Sequence, residues 1–510
     1  MLARIISAAL QGVDARRVDI EVNHAGTGET KVIVVGLPDT AVREAKDRVL
    51  TALWNSGLRP PMLGRLTFNL APADLRKEGP GFDLPMALGV ALVSEACGDA
   101  AIEDYVFAGE LALTGEVRAI RGGLSIAIDA RAQGRKGVVL PSESANEAAI
   151  VEGIDVIPVR NLREAVEFLQ GRRTISPVRR DASECLSRAD APGVADFAEV
   201  RGQETVKRAL EVAVAGGHNA LLVGSPGSGK SMLAKRVSSI MPRLTLEDAI
   251  ESTKIHSVCG LLGEGEFLKN ERPFRSPHHS ISDAGLIGGS SPPLPGEVSL
   301  AHRGVLFLDE LPEFRRTTLE VLRQPLEDQQ VCISRATGST TFPCDFILVA
   351  AMNPCRCGYH GDPRRACRCS AAEVERYRSR ISGPLMDRLD VQIEAPAVNY
   401  DHLMGESTGE ASAVIRERVE AVRAIQRARS GLRTNARLRP EEQKRFCRLD
   451  SDGRALLRSA MEHLGLSARA YDRILRLSRT IADLASDETI RAHHVSEAVQ
   501  YRSLDRKVSR

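Results

Sequence analysis

The sequence predicts an α/β chain: a parallel-sheet, phosphate-binding core in the middle, an α+β domain before it and a helical bundle after it. Three observations predict the core. GSPGSGKS, Gly224 to Ser231, satisfies G-x-x-x-x-G-K-[ST] at every required position, and the apolar run Ala220–Val223 leads into it as a buried strand would. Val305-Leu306-Phe307-Leu308 is a second continuous apolar run, and Phe346 to Ala351 is a third. Runs of this kind mark strands covered on both faces, as in a parallel sheet flanked by helices.

Each run ends in chemistry. Gly224, Ser225, Pro226, Gly227, Ser228 and Gly229 let the backbone curl so that its N–H groups face a phosphate chain, and the helix-like sequel adds a positive end. Lys230 is expected at the β- and γ-phosphates of ATP, and the Ser231 hydroxyl at Mg²⁺. The second strand ends in Asp309-Glu310, one carboxylate for the Mg²⁺ shell and one to polarise the attacking water. The third runs into Asn353, placed between the other two strand ends to position water or sense the γ-phosphate.

Composition sets limits. At 510 residues the chain has room for about three domains. A formal net charge of +2 gives no bulk attraction to nucleic acid or membrane, so polyanion binding has to come from local patches. One tryptophan, Trp54, argues against an extended base-stacking platform. No apolar run approaches the length that spans a bilayer, and the opening MLARIISAALQG lacks a full signal-peptide pattern. With ten cysteines, this leads us to expect a cytoplasmic protein whose thiols are free or metal-bound.

The pattern along the chain divides it into 1–173, alternating short Val/Ile-rich strands and helices; 174–195, an aperiodic Pro/Ser/Arg/Asp linker; 196–397, the nucleotide core; and 398–510, entirely helical and rich in Arg and Glu. Within the core, the stretch from Arg275-Ser276-Pro277-His278-His279 to Gly296-Glu297 is too long for an ordinary connection, and loops of that size tend to be functional. Val331 to Phe342, turning at Ala336-Thr337-Gly338, reads as a β-hairpin with Arg335 near its tip as a candidate phosphate contact. After Asn353, Cys355-x-Cys357 and Cys367-x-Cys369 flank nine residues that supply turns. Four thiolates in one loop can hold a structural tetrahedral Zn²⁺; His360 is a lesser candidate, and Cys344 is expected to pack on its strand.

Taken together, the phosphate loop, the acidic strand end and Asn353 resemble the AAA+ ATPase core. That resemblance implies two arginines: Arg388, in GPLMDRLD, as the finger reaching a neighbouring subunit's γ-phosphate, with Arg380 as its competitor, and Arg469, in LSARAYDR, as the lid arginine of the same subunit. A finger in trans implies a ring. The insertion and hairpin resemble the magnesium chelatase and replicative-helicase branch, where such loops face the pore.

The first block resembles the Lon protease domain, on Lys77-Glu78-Gly79-Pro80-Gly81-Phe82-Asp83 and Thr114-Gly115-Glu116-Val117 through Arg121-Gly122-Gly123-Leu124. Gly81 stands where that family carries its serine nucleophile and Ser125 where it carries its lysine, so serine–lysine proteolysis has neither nucleophile nor base. The whole arrangement, with SARAYDRILRLSRTIADL in the lid, resembles the ComM (YifB) family, from which the chain departs at Arg356, where proline is usual. The resemblance implies a hexameric ATPase that drives branch migration of single-stranded, forked or branched DNA during natural transformation, with recombination proteins as partners.

Overall fold

A computed structural model describes the chain except for residues 27–30, 62, 95–101, 188–194, 264, 292, 336–337, 397–408, 432 and 503–510. The amino-terminal part is β-rich. Leu2–Gln11 and Asp14–Ala25 form an antiparallel hairpin, extended by Arg65–Ala71 and then by Lys31–Val35, which runs parallel to it. Alternation in Asp14–Ala25 buries Val18, Ile20 and Val22 on one face, the period-2 signature of a sheet with one face covered. The helix Asp83–Val93 covers that face and is buried at every residue, which is why its sequence lacks a polar stripe. A second sheet of three parallel strands, Tyr105–Phe107, Gly137–Pro141 and Asp155–Val159, completes this part.

The central part is a five-stranded parallel sheet in the order Phe274–Arg275, Val305–Leu308, Ile347–Met352, Ala220–Val223, Val391–Glu394. The three apolar runs read from the sequence are its middle strands. Each is fully buried, as a strand covered on both sides has to be. Their carboxyl ends therefore meet along one edge.

Among the described residues, five helices follow: Ser412–Ser430, Pro440–Phe446, Ser451–Leu464, Ala468–Leu484 and Ala492–Gln500. Ile474, Leu477 and Ile481 make a helical stripe that joins Val206, Leu210 and Val214 of the helix Glu204–Gly216 in one apolar cluster. Each such side chain stabilises by roughly 1.5–3 kcal/mol, and the helical part also meets the core through Ser412 with Ser239, Arg437 with Asp345 and a bridge from Arg502 to Gln392. None of the described helices is long and apolar enough to cross a membrane.

Two stretches differ in detail from the expectation. The segment 174–195 is not bare: Val178 bridges to Val156, and a helix at Ala182–Ser187 buries Ala182 against Ala249 and Leu268. Apolar anchors spaced this thinly leave no periodicity to read. The expected hairpin is Gln330–Arg335 paired with Gly338–Pro343; its turn residues Ala336 and Thr337 lie outside the described residues. Ile333 of the hairpin packs with Ile287 and Leu286 of the long insertion, and the Arg335 guanidinium lies against Gly289. The two loops thus pack as one unit.

Candidate nucleotide site and cysteine loop

At the carboxyl edge of the sheet, three strand ends surround a cavity of about 390 Å³, walled by residues 226–232, Asp309, Glu310, Met352 and Asn353. The loop turns at Gly229, whose φ of +81° lies in the left-handed region that glycine adopts without strain, and the helix Lys230–Arg236 begins at the next residue. Lys230 is buried, with its Nζ donating to the carbonyls of Gly224 at 2.7 Å and Ser225 at 3.1 Å and to Asn353 Oδ1 at 3.3 Å. Burial pulls its pKa down, while Asp309 pulls it back up. An ammonium held by neutral oxygens in this way is poised for an anion.

Ser231 Oγ donates to Asp309 Oδ2 at 2.5 Å, joining the loop to the acidic strand end. A hydroxyl and a carboxylate at this separation are hard oxygen donors that fit Mg²⁺, which takes few protein ligands and keeps its waters. Glu310 sits at a left-handed φ of +51°, its N–H donating to Asp309 Oδ1 at 2.9 Å, with its carboxylate exposed to the groove. His279 from the insertion reaches it, Nδ1 to Oε2 at 3.4 Å. Asn353, at the third strand end, completes the set.

The arginines lie outside this wall. Arg388 is tucked against its own chain: its side chain is 12% exposed, it donates to Pro384 O and pairs with Glu327, and its Nε is buried without a partner. Arg380 is 54% exposed and pairs with Glu313 at 3.0 Å. Arg469 is 73% exposed and pairs with Asp387 at 3.0 Å, one residue from Arg388.

Beside the groove, the sulfurs of Cys355, Cys357, Cys367 and Cys369 lie within 4.8 Å of one another, with Cys355–Cys357 at 3.3 Å, Cys355–Cys367 at 3.7 Å and Cys357–Cys367 at 3.6 Å. Around Zn²⁺, with Zn–S of about 2.3 Å, a tetrahedron has edges of roughly 3.8 Å, so the donor set fits that ion. Backbone N–H groups of Arg368 and then Tyr359 draw the Cys357 thiol down to about 6. His360 is exposed and outside the cluster, and Cys344 is buried beside its strand.

The cysteine loop leans on the phosphate loop. At Gly358, with φ +86°, a Cβ would lie 2.6 Å from Pro226 Cδ, and the Ser225 hydroxyl donates to Asp362. Three further residues shape the site without a motif to announce them. Gln203 Nε2 donates to Ser228 O at 2.6 Å and Pro396 O at 3.0 Å, Tyr377 bonds the Asn353 backbone, and His279 faces Glu310. Of these, only His279 lies in a stretch singled out from the sequence, the long insertion that starts at Arg275.

In the amino-terminal part, a Cβ on Gly81 would meet only Ile120, at 3.8 Å. Ser125 is buried and its Oγ donates to Val13 O at 2.6 Å, so that hydroxyl is already committed.

Comparison with known proteins agrees across the whole length. Residues 196–403 match the family described as magnesium chelatase, subunit ChlI; residues 20–144 match subunit ChlI of Mg-chelatase; and residues 409–502 match its C-terminal part. The chain is 42% identical over 507 residues to YifB of Escherichia coli and, over the same length, to the competence protein ComM of Haemophilus influenzae, covering 99% of this chain and 98% of each relative. It is also 22% identical over 340 residues to the zygotic DNA replication licensing factor mcm6 of Xenopus tropicalis, across 62% of this chain and 37% of that protein. With this likeness running from end to end, and the magnesium-chelatase match lying over the sheet that carries the groove, the chain belongs to the YifB/ComM family of magnesium-chelatase-type AAA+ proteins.

Proposed function

We propose that the protein is an ATP-hydrolysing ring motor, a hexamer working in the cytoplasm, that moves strands of single-stranded, forked or branched DNA. The observation that carries the ATPase reading is the convergence of Lys230, Ser231, Asp309, Glu310 and Asn353 on one cavity at three adjacent strand ends. Lys230 exchanges its carbonyl partners for the β- and γ-phosphates. Ser231 and Asp309 would hold Mg²⁺, which would supply charge neutralisation at those oxygens. Glu310 accepts a proton from the water that Asn353 orients, the water oxygen bonds to the γ-phosphorus as the bond from that phosphorus to the bridging β-phosphate oxygen breaks, and ADP and inorganic phosphate leave.

An arginine from the next subunit completes the site, Arg388 with Arg380 as the alternative, while Arg469 of the lid reports on the same subunit's nucleotide. The four cysteines hold a structural Zn²⁺ that stiffens the loop against Pro226 and Asp362. Residues 1–173 are a Lon-like domain without proteolytic chemistry, tied through 174–195 to the motor at 196–397 and the lid at 398–510.

DNA is favoured as the substrate by the packing of the hairpin and the insertion on each other, with the exposed Arg335 between them, and by the names of two relatives, a competence protein and a replication licensing factor. On this reading the protein promotes integration of incoming strands in natural transformation and homologous recombination. A second reading, a motor for metal insertion into a tetrapyrrole, is favoured by the magnesium-chelatase description of all three matched regions. It requires stimulation by porphyrin and indifference to DNA.

The ATPase reading is tested by turnover of the full chain. Glu310→Gln is expected to lose at least about a hundredfold in kcat while still binding ATP. Turnover retained in that variant overturns the assignment of Glu310.

A further inference from the structure

A second cavity, of about 340 Å³, lies at the opposite end of the central sheet, where Gly304, Phe346 and Ile347 begin their strands and the helix Ser412–Ser430 crosses beneath. Arg272, Arg303, Arg423, Arg427, Arg433 and Arg437 line it. Four carboxylates share the wall, those of Glu247, Asp248, Glu251 and Asp345. They are unevenly shared. Arg303 takes Asp248, Glu251 and Asp345 at 2.9–3.1 Å, Arg437 takes the other oxygen of Asp345 at 2.6 Å, and Arg433 pairs with Glu442 at 3.0 Å. Arg272 spends its donors on the carbonyls of Pro242, Arg303 and Arg243 and stands 3.7 Å from Asp248.

The cationic excess therefore falls on Arg423 and Arg427. Arg423 donates one bond, to Val214 O at 2.9 Å, and neither arginine has an ion-pair partner among the described residues. Among the described residues, three buried polar atoms of this wall have no hydrogen-bond partner: Arg423 Nε, Arg433 Nε and Thr434 Oγ1. Burial, and then the neighbouring Arg272, push the Arg423 guanidinium down to about 9. For Arg423, whose Nε is buried and unsatisfied, an uncompensated charge is costly unless an anion shares the space, while the exposed Arg427 stands at the mouth as a second cation.

We infer that this cavity is a binding site for a small phosphoryl-bearing anion, held by Arg423, Arg427 and the Thr434 hydroxyl and separate from the nucleotide groove. Its size suits a compact ligand, and planar guanidinium forks match phosphoryl oxygens two at a time. Occupancy joins the helix Ser412–Ser430 to the base of the sheet, so it bears on how the lid is held.

The probe is inorganic pyrophosphate titrated into the full chain by calorimetry, with ionic strength held constant by sodium chloride. Saturable binding is expected in the parent, and a saturable component is expected to remain in Lys230→Ala, whose loop lysine belongs to the other site. Arg427→Gln, at an exposed position that leaves the fold intact, is expected to weaken it by about tenfold or more, and Arg423→Gln with Arg427→Gln to abolish it. Thr434→Val, which keeps the shape and removes the hydroxyl, weakens it less. Binding of ADP to the Lys230→Ala chain more tightly than pyrophosphate assigns the site to a nucleotide-borne diphosphate, and the reverse to a free anion. Absence of saturable binding overturns the inference. So does binding lost in Lys230→Ala but kept in Arg427→Gln, which places the anion in the nucleotide groove.

Discussion

Two regions of this chain carry glycine-rich sequences that resemble known catalytic motifs, and the structure treats them in opposite ways. In the nucleotide groove, Lys230, Ser231, Glu310 and Asn353 converge on an open cavity and their bonds to one another are ones a ligand can replace. Around Ser125, the donors are consumed by the fold. Ser125 Oγ holds Val13 O, and Gly122 N donates to Ser257 Oγ of the helix Leu246–Cys259 at 2.9 Å. Val13 itself lies in the apolar cluster of the central sheet with Leu306, Leu308 and Phe342. The position that resembles a protease base is thus used to dock one part of the molecule on another. A catalytic site is recognised by convergent polar groups that remain free to exchange partners, and the motif alone does not guarantee that.

The largest expected effect falls on the arginines. Removing a finger costs about 10³-fold or more in turnover with ATP binding kept, and this loss is expected for Arg388→Ala. Because Arg388 is tied to Glu327 while Arg380 is exposed, a reversal, with Arg380→Ala inactive and Arg388→Ala active, transfers the role to Arg380. The cysteine loop comes next. Cys355→Ser removes a ligand beside Asn353, and loss of about one zinc per chain by elemental analysis is expected, with a fall in turnover of roughly ten- to a hundredfold. Full activity with no bound metal separates the loop from the groove.

The smallest effect belongs to the other side of the comparison. Ser125→Ala leaves Val13 O without its partner and is expected to lower stability in denaturant unfolding by about 1 kcal/mol, with ATP turnover preserved. Proteolysis by the parent chain that Ser125→Ala abolishes contradicts the reading of that region.

The nucleotide core was legible because its chemistry sits in contiguous motifs at the ends of unbroken apolar strands. Residues 224–231, 309–310 and 353 could be placed on adjacent strand ends before any coordinates. What could not be read comes from contacts between distant segments. His279 meets Glu310 across an insertion that has no period, and Gln203 reaches Ser228 and Pro396 from a left-handed position before its helix. The pairing of Arg388 with Glu327 depends on how the helix Arg323–Asp328 packs, which no local pattern records. The arginine cavity draws on residues from 272 to 437 and has no motif at all.

If ATP turnover at the Lys230 groove moves DNA, strand displacement reads that movement out. On three-stranded and forked DNA the full chain with ATP and Mg²⁺ is expected to exchange or separate strands, and Lys230→Ala is expected to do neither. Robust Lys230-dependent ATP hydrolysis that DNA neither stimulates nor couples to strand movement would contradict the account and leave a motor for some other substrate.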